Sequence, residues 1–88
     1  MALTFDSSAS LSPQVALRPE PFGALAYHYG NRRLVFLKHP DVVAVVKSLA
    51  NHPTIGETLD ACGIAQERRA SFLAALDNLT KSEIISVG

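Results

Sequence analysis

The chain has 88 residues, the size of one small domain, and 48% of them are hydrophobic while 18% are charged, as in an ordinary folded protein. No apolar run approaches the ~18 residues that a membrane span needs. Eight basic residues balance eight acidic ones, so a net charge of zero provides no long-range attraction for nucleic acid or for an anionic membrane.

The first ten residues are expected to be less ordered than the rest of the chain. Residues 1–10 are rich in serine and small side chains and are predicted to form a flexible N-terminal segment, whereas residues 11–88 form the folded domain. The start lacks the basic residues and the long apolar stretch of a secretion signal. Cys62 is the only cysteine and cannot form an internal disulfide. These features predict a cytoplasmic protein.

Strands come first in the chain. The segment "VAL", residues 15–17, predicts a short strand that stops at Pro19. In "FGALAYHYGNRRLVFLK", Gly30-Asn31 predicts a two-residue hairpin turn. Such a turn places Tyr27 opposite Leu34 and Leu25 opposite Phe36, and we expect these four side chains to form the core face of the sheet.

Three helices are predicted to follow. The first begins at Pro40 and ends near Asn51, with its apolar residues at helical spacing. The second begins with the capping box Thr54 to Glu57 and ends at Gly63. The last spans "QERRASFLAALDNLTK", with Phe72, Leu76 and Leu79 on one stripe, and "EIISV" forms an extended tail or a small extra strand. The fold class predicted is α+β, with a three-stranded antiparallel sheet followed by three helices.

No combination of residues predicts catalysis. The three histidines have no partner at metal-ligand spacing, and a lone cysteine at the end of an amphipathic helix is typical of a small core residue. The sequence has no G-x-S-x-G elbow, no paired carboxylates and no glycine-rich phosphate loop. We therefore expect a protein that is not an enzyme and that holds neither a metal nor a cofactor.

The third strand, Arg33 to Lys38, is the most informative segment. Three strands joined by short turns leave this strand at an edge of the sheet. An apolar edge strand without proline is a template for a partner strand, unless the protein covers it. The alternative is that the tail, Ile84 to Val87, covers it.

The segment "VALRPEPFGALAYHYGNRRLVFLK", the helix at Pro40 and the closing "FLAALDNLTKSEII" resemble a known family over about Ser12 to Val87. This is the family of peptide-binding chaperones of mycofactocin biosynthesis, related to the precursor-recognition chaperone of pyrroloquinoline quinone biosynthesis. The resemblance implies a winged-helix-like domain, residues 11–88, that binds the leader of a ribosomally synthesised precursor peptide. The implied partner enzyme is a radical S-adenosylmethionine maturase with iron–sulfur clusters, which decarboxylates and crosslinks the precursor's C-terminal Val-Tyr.

The resemblance also implies a binding site. The leader would add as an antiparallel strand to the third strand and rest against the last helix, where apolar side chains accept it and basic side chains attract acidic leader residues. The implied site consists of Arg33, Leu34, Val35, Phe36, Leu37, Lys38, Arg69, Phe72, Leu73 and Leu76. Phe72 and Leu76 are also expected to belong to the core.

Two other functions remain open from the residues alone. A winged-helix nucleic-acid binder would use the last helix, with Arg68 and Arg69, as its recognition helix. A structural subunit would stabilise its partner enzyme without binding free peptide. The expected oligomeric state is a monomer or a weak dimer.

Overall fold

The computed structural model describes residues 3–87, which contain a three-stranded antiparallel sheet followed by three helices. The main sheet has the order β2-β3-β4, with β2 at Val15–Glu20, β3 at Gly23–His28 and β4 at Leu34–Leu37. The helices are α1 at Pro40–Ser48, α2 at Ile55–Ala61 and α3 at Gln66–Lys81, and one 3₁₀ turn at Leu49–Asn51 follows α1. A second sheet pairs β1, Ala9–Leu11, with β5, Ile85–Val87. The predicted α+β class and the order of sheet and helices are confirmed.

The register predicted for the hairpin is confirmed, but the turn is of a different type. Tyr27 pairs with Leu34. The loop closes where the His28 N–H donates to the Arg33 carbonyl at 2.9 Å and the Arg32 N–H donates to the His28 carbonyl at 2.8 Å. Arg32 adopts the left-handed φ of 61°. The chain therefore reverses over residues 29–32 and not over Gly30-Asn31 alone.

The prediction of the core face was wrong. Leu34 and Phe36 are 52% and 55% exposed, and their partners Tyr27 and Leu25 are only partly buried. These four side chains form the outer face of the sheet, and no helix covers them in the part of the chain that the structure describes. The Phe22 ring lies 5.8 Å from the Phe36 ring and extends the apolar surface.

The inner face instead carries small side chains. Ala24 and Ala26 are buried, at 1% and 0% exposure, and Leu37 joins them at 3%. Because alanine projects so little above the sheet, α1 packs closely on β3 and buries Val45 and Val46 completely. The size of the apolar side chains favoured the wrong face, whereas close approach of the helix requires the small ones.

The helix ends follow local sequence signals. His39 Nδ1 accepts a hydrogen bond from the Asp41 N–H at 3.1 Å before α1, and Thr54 Oγ1 accepts from the Glu57 N–H at 3.2 Å before α2. Gly63 ends the second helical segment with a φ of 70°. In α3 the predicted stripe is confirmed, because Phe72, Leu76 and Leu79 are buried. Within residues 3–87, no helix is both long and apolar enough to cross a bilayer.

The first and last strands of the described residues pair away from β4. β5 pairs with β1, with Ser10 opposite Ser86, so the tail does not cover the third strand of the main sheet. Residues 1, 2 and 88 lie outside the described residues. Of the segment expected to be flexible, Leu3 and Ala9 lie in the core at 6% exposure each. Sequence analysis placed no part of the core there.

Candidate functional site

The main chain of β4 alternates between its partner strand and open space. The bond from the His28 N–H to the Arg33 carbonyl marks these two as a hydrogen-bonded pair. In an antiparallel ladder such pairs alternate, so the pairs Ala26–Val35 and Ala24–Leu37 are also hydrogen-bonded. The N–H and C=O groups of Leu34 and Phe36 therefore point away from β3. No other strand pairs with β4 within residues 3–87.

The opposite edge of the sheet is less suited to accept a strand. The Tyr29 N–H donates to the Gln14 carbonyl, and the same alternation turns the main chain of Val15, Leu17 and Pro19 away from β3. Pro19 has no N–H, and the Val15 N–H already donates to the Ser12 carbonyl at 3.0 Å. Proline is tolerated inside β2 because its missing donor lies on the free edge, which explains why the strand continues past Pro19 to Glu20.

An apolar groove lies between β4, α1 and α3. Its volume is about 300 Å³, and it is lined by residues of β4, of the start of α1 and of the C-terminal half of α3. Lys38 and His39 lie at one end, where β4 leads into α1. The lining residues are Val35, Phe36, Leu37, Lys38, His39, Val42, Ala75, Asn78 and Leu79. A strand added to β4 would direct every second side chain into this groove.

The structure brings only part of the sequence-predicted site together. Val35 to Lys38 line the groove, and Leu34 lies beside them on β4. On α3, Phe72 and Leu76 are core residues with 6% and 1% exposure. Leu73 lies next to Leu3 in a separate depression.

Arg69 also lies apart from the groove. Its guanidinium is 2.7 Å from an Asp60 carboxylate oxygen, and its Nε donates to the Ile64 carbonyl at 3.0 Å. These contacts fix the side chain against the end of α2. Its place in the leader-binding site stays a prediction that the geometry of the groove does not favour.

Ala75, Asn78 and Leu79 are the helix residues that sequence analysis missed. Ala75 and Leu79 follow Phe72 at three and seven positions and share its side of the helix, and Asn78 lies further round on the flank of Ala75. The sequence predicts the apolar stripe, but the predicted site includes Arg69 and Leu73, which lie on the other flank of that stripe. The helical period alone does not say which flank faces β4.

Hydrogen bonds from side chains hold the hairpin that presents β4. His28 is buried, and its Nδ1 accepts from the Gly30 N–H at 3.0 Å and from the Asn31 N–H at 3.1 Å. Asn31 Oδ1 accepts from the Arg33 N–H at 2.9 Å, and Asn31 Nδ2 donates to Glu83 at 3.0 Å. The start of β4 is thereby fixed from both sides of the turn.

Gly23 fixes the other end of β4. Its φ is 148°, and a Cβ at this position would collide with the Leu37 carbonyl oxygen. The close approach keeps the last hydrogen-bonded pair of β3 and β4 together. Glycine is required here both for the backbone conformation and for space.

The basic residues at the start of α3 are already paired. Arg68 lies 2.9 Å from Asp41 and 5.1 Å from the centre of the Phe72 ring, so it joins α3 to α1. Arg69 is paired with Asp60. A recognition helix for nucleic acid needs such cations for phosphates and bases. This arrangement gives the nucleic-acid alternative no support.

The arrangement of the remaining titratable groups decides whether the described residues could hold a metal ion. Among residues 3–87, no three His, Cys, Asp or Glu side chains lie close enough to hold a metal ion. Cys62 is a free, partly buried thiol next to the core. The described residues thus offer an open strand and an apolar groove as their candidate site.

The fold and this site define a small α+β domain in which the open edge strand β4 lies beside an apolar groove. The chain belongs to the peptide chaperone MftB family, whose family model matches residues 8–86. Peptide chaperone is a non-catalytic role, which agrees with the expectation that the chain is not an enzyme. The resemblance seen in the sequence is confirmed.

Three relatives carry the name peptide chaperone MftB. The protein of Mycolicibacterium smegmatis is 50% identical over 88 residues, covering 98% of this chain and 86% of the relative. The protein of Mycobacterium ulcerans is 46% identical and that of Mycobacterium tuberculosis 44%, each over 91% of this chain and 73% of the relative. No solved structure matches the chain.

Proposed function

We propose that this chain is a non-enzymatic cytoplasmic chaperone of mycofactocin biosynthesis that binds the leader of a ribosomally synthesised precursor peptide by strand addition to β4. In this proposal it presents the bound peptide to a radical S-adenosylmethionine maturase. The observation that supports the binding mode is the free main chain of Leu34 and Phe36 beside an apolar groove. The family of peptide chaperones to which the chain belongs supports the role.

Strand addition assigns separate tasks to main chain and side chains. The N–H and C=O groups of Leu34 and Phe36 would bond the leader with little dependence on its sequence. Leader residues opposite Val35 and Leu37 would place their side chains on the inner face, in the groove. Burial of apolar leader side chains there contributes ~25 cal/mol for each Å² removed from water.

Proline substitution tests the ladder directly. Phe36→Pro removes an N–H that points to the leader, whereas Phe36→Ala removes the ring and keeps the N–H. We expect Phe36→Pro to weaken binding of the synthetic precursor peptide at least tenfold, the loss of about one well-formed bond, relative to Phe36→Ala. Isothermal titration calorimetry measures both affinities, and circular dichroism checks that both variants fold.

N-methylation of the peptide provides a second measurement on the unmodified protein. Strand addition predicts that methylation of every second amide of the bound segment weakens binding, because only alternate N–H groups face β4. Strand addition would be excluded if folded Phe36→Pro and Phe36→Ala bound the peptide with equal affinity and if the affinity of the methylated peptides did not alternate with the position of the methyl group. Tight binding to the maturase with no affinity for free peptide would instead support the structural-subunit alternative.

A further inference from the structure

Two cations flank the open strand and have no partner in the part of the chain that the structure describes. Arg33 precedes β4 and Lys38 follows it, and both are exposed. Neither lies within 4 Å of a carboxylate in residues 3–87, whereas four of the other six arginines and lysines are paired. The paired ones are Arg18, Arg68, Arg69 and Lys81. Arg32, beside Arg33 at the hairpin, and Lys47, on α1, also lack such a partner within residues 3–87. Positive charge without an ion-pair partner is therefore present at both ends of the edge that would accept a strand.

The acidic residues near these two ends bind other side chains and do not pair with Arg33 or Lys38. Asp41, close to Lys38 in the chain, pairs with Arg68 at 2.9 Å. Glu83 accepts a hydrogen bond from Asn31 at the hairpin tip. The Asn31 amide is neutral, so Glu83 keeps its charge, but no carboxylate of residues 3–87 lies within 4 Å of Arg33 or Lys38. Both cations are therefore available to pair with acidic residues of an incoming segment.

A second copy of this chain is a poor occupant of the edge. Antiparallel pairing of β4 with itself would bring Lys38 of one copy next to Arg32 or Arg33 of the other, and like charges across a strand pair are destabilising. Charged ends of this kind are a common protection of edge strands against self-association. A segment with acidic residues at matching positions would be attracted by the same charges.

The register fixes the spacing of those acids. Arg33 and Lys38 are five positions apart in the chain, which is about 17 Å along a strand at ~3.3 Å per residue. An antiparallel segment would place its first residue opposite Lys38 and its sixth opposite Arg33. Its second and fourth residues would lie opposite Leu37 and Val35, on the face of the groove.

We propose that the leader segment bound to β4 has the order acidic, apolar, any, apolar, any, acidic, with Lys38 and Arg33 selecting its two acidic ends. This inference rests on the proposed function and adds to it the class of peptide that the edge selects. The apolar pair provides burial in the groove, and the acids provide register, because a shift by one residue separates them from their cations and turns the apolar side chains outward.

Charge reversal tests this order. Lys38→Glu and Arg33→Glu should each weaken binding of the synthetic precursor peptide about three- to tenfold, since an exposed attraction becomes a repulsion. Lys47→Glu is the matched control, because Lys47 is an exposed cation of α1 that does not line the groove. The wild-type affinity should fall as NaCl is raised from about 50 to about 500 mM, and the fall should be smaller for the double variant Arg33→Glu/Lys38→Glu.

Exchanging the charges of the protein and the peptide identifies which peptide residue pairs with each cation. One acidic residue of the peptide, changed to Lys, should restore binding to Lys38→Glu, and an acidic residue five positions later should do so for Arg33→Glu. Arg33→Gln and Lys38→Gln remove the charge without reversing it. Each should weaken peptide binding by about half as much, in log Kd, as the corresponding change to Glu. Rescue at any other spacing would contradict the proposed order.

The results separate this inference from the function on which it rests. Affinities of both reversed variants within twofold of Lys47→Glu, with Phe36→Pro still weakening binding, would overturn the acidic order and leave strand addition standing. A wild-type protein that does not bind the precursor peptide would overturn both. Loss on both charge reversals, with rescue at the stated spacing, supports both.

Discussion

Leu34 and Leu37 lie three residues apart on the same strand and on opposite faces of the sheet, with 52% and 3% of their surfaces exposed. Leu37→Ala should lower the free energy of unfolding by about 2–5 kcal/mol, because it leaves a cavity under α1. Leu34→Ala should cost less than about 1 kcal/mol, since its side chain already contacts water. Urea unfolding of both variants measures the difference. Equal losses would mean that the outer face is covered in solution.

Helices, cap residues and strand register could be predicted because their signals are local. The Thr54 to Glu57 capping box and the left-handed Gly63 depend on neighbours within a few residues. The choice of sheet face depends on what packs against the sheet. Both faces of β3 and β4 carry apolar residues, and alternation alone does not say which face α1 covers.

The remaining differences between the predictions from sequence and the structure involve contacts between residues that are far apart in the chain. The pairing of β1 with β5 joins strands that are more than 70 positions apart in the chain, and no local turn pattern predicts it. The same holds for the flank of α3 that faces β4, because Ala75 and Leu79 are no more apolar than Leu73 and Leu76. The strand half of the candidate site could thus be predicted from local pattern, whereas the helix half required the packing of α3.

The buried imidazole of His28 predicts a stability effect at the hairpin. His28→Leu keeps a similar volume but leaves the Gly30 and Asn31 N–H groups without their acceptor. We expect a loss of about 1–3 kcal/mol in the free energy of unfolding. His52→Leu is the control, because His52 makes no side-chain hydrogen bond within residues 3–87. The free energies of unfolding of the two variants, measured by thermal and urea unfolding, should differ by about 1–3 kcal/mol.

Two glycines with positive φ should respond differently to alanine. Gly63 has a φ of 70°, and an added Cβ would meet no other atom within 4 Å, so Gly63→Ala should cost only the backbone strain. That strain is about 1 kcal/mol. Gly23→Ala should cost more, because its Cβ would also displace the Leu37 carbonyl from β3. Urea unfolding measures both losses, and calorimetric titration with the precursor peptide should show weaker binding for Gly23→Ala alone, since β4 moves. A folded Gly23→Ala with wild-type stability would contradict this account.

The paired arginines of α3 predict an absence of nucleic-acid binding. Arg68 and Arg69 lie 2.9 and 2.7 Å from a carboxylate oxygen, and the net charge is zero. Duplex DNA should therefore show no binding with the steep salt dependence that phosphate contacts impose. A titration in about 50 and about 200 mM salt measures this. A tenfold or greater loss of affinity between the two would restore the nucleic-acid alternative.

The segment before β1 should stabilise the fold through α2. Its Phe5 and Ser7 carbonyls accept hydrogen bonds from the Gly56 and Ile55 N–H groups at 2.8 and 2.9 Å, and these are donors that a helix cannot satisfy itself. Leu3 adds a buried side chain. Removal of residues 1–7 should lower the free energy of unfolding by about 3 kcal/mol, from two lost bonds and one lost apolar contact.

Leu3→Ser separates these two contributions, because it removes the apolar contact and keeps the carbonyls in place. We expect it to account for about half of the loss, or roughly 1.5 kcal/mol. Peptide affinity should stay within twofold of wild type in both variants, since the segment lies against α2 and α3, away from the groove beside β4. A truncated protein of unchanged stability would show that the α2 donors find other acceptors, and the fold would then be independent of its first seven residues.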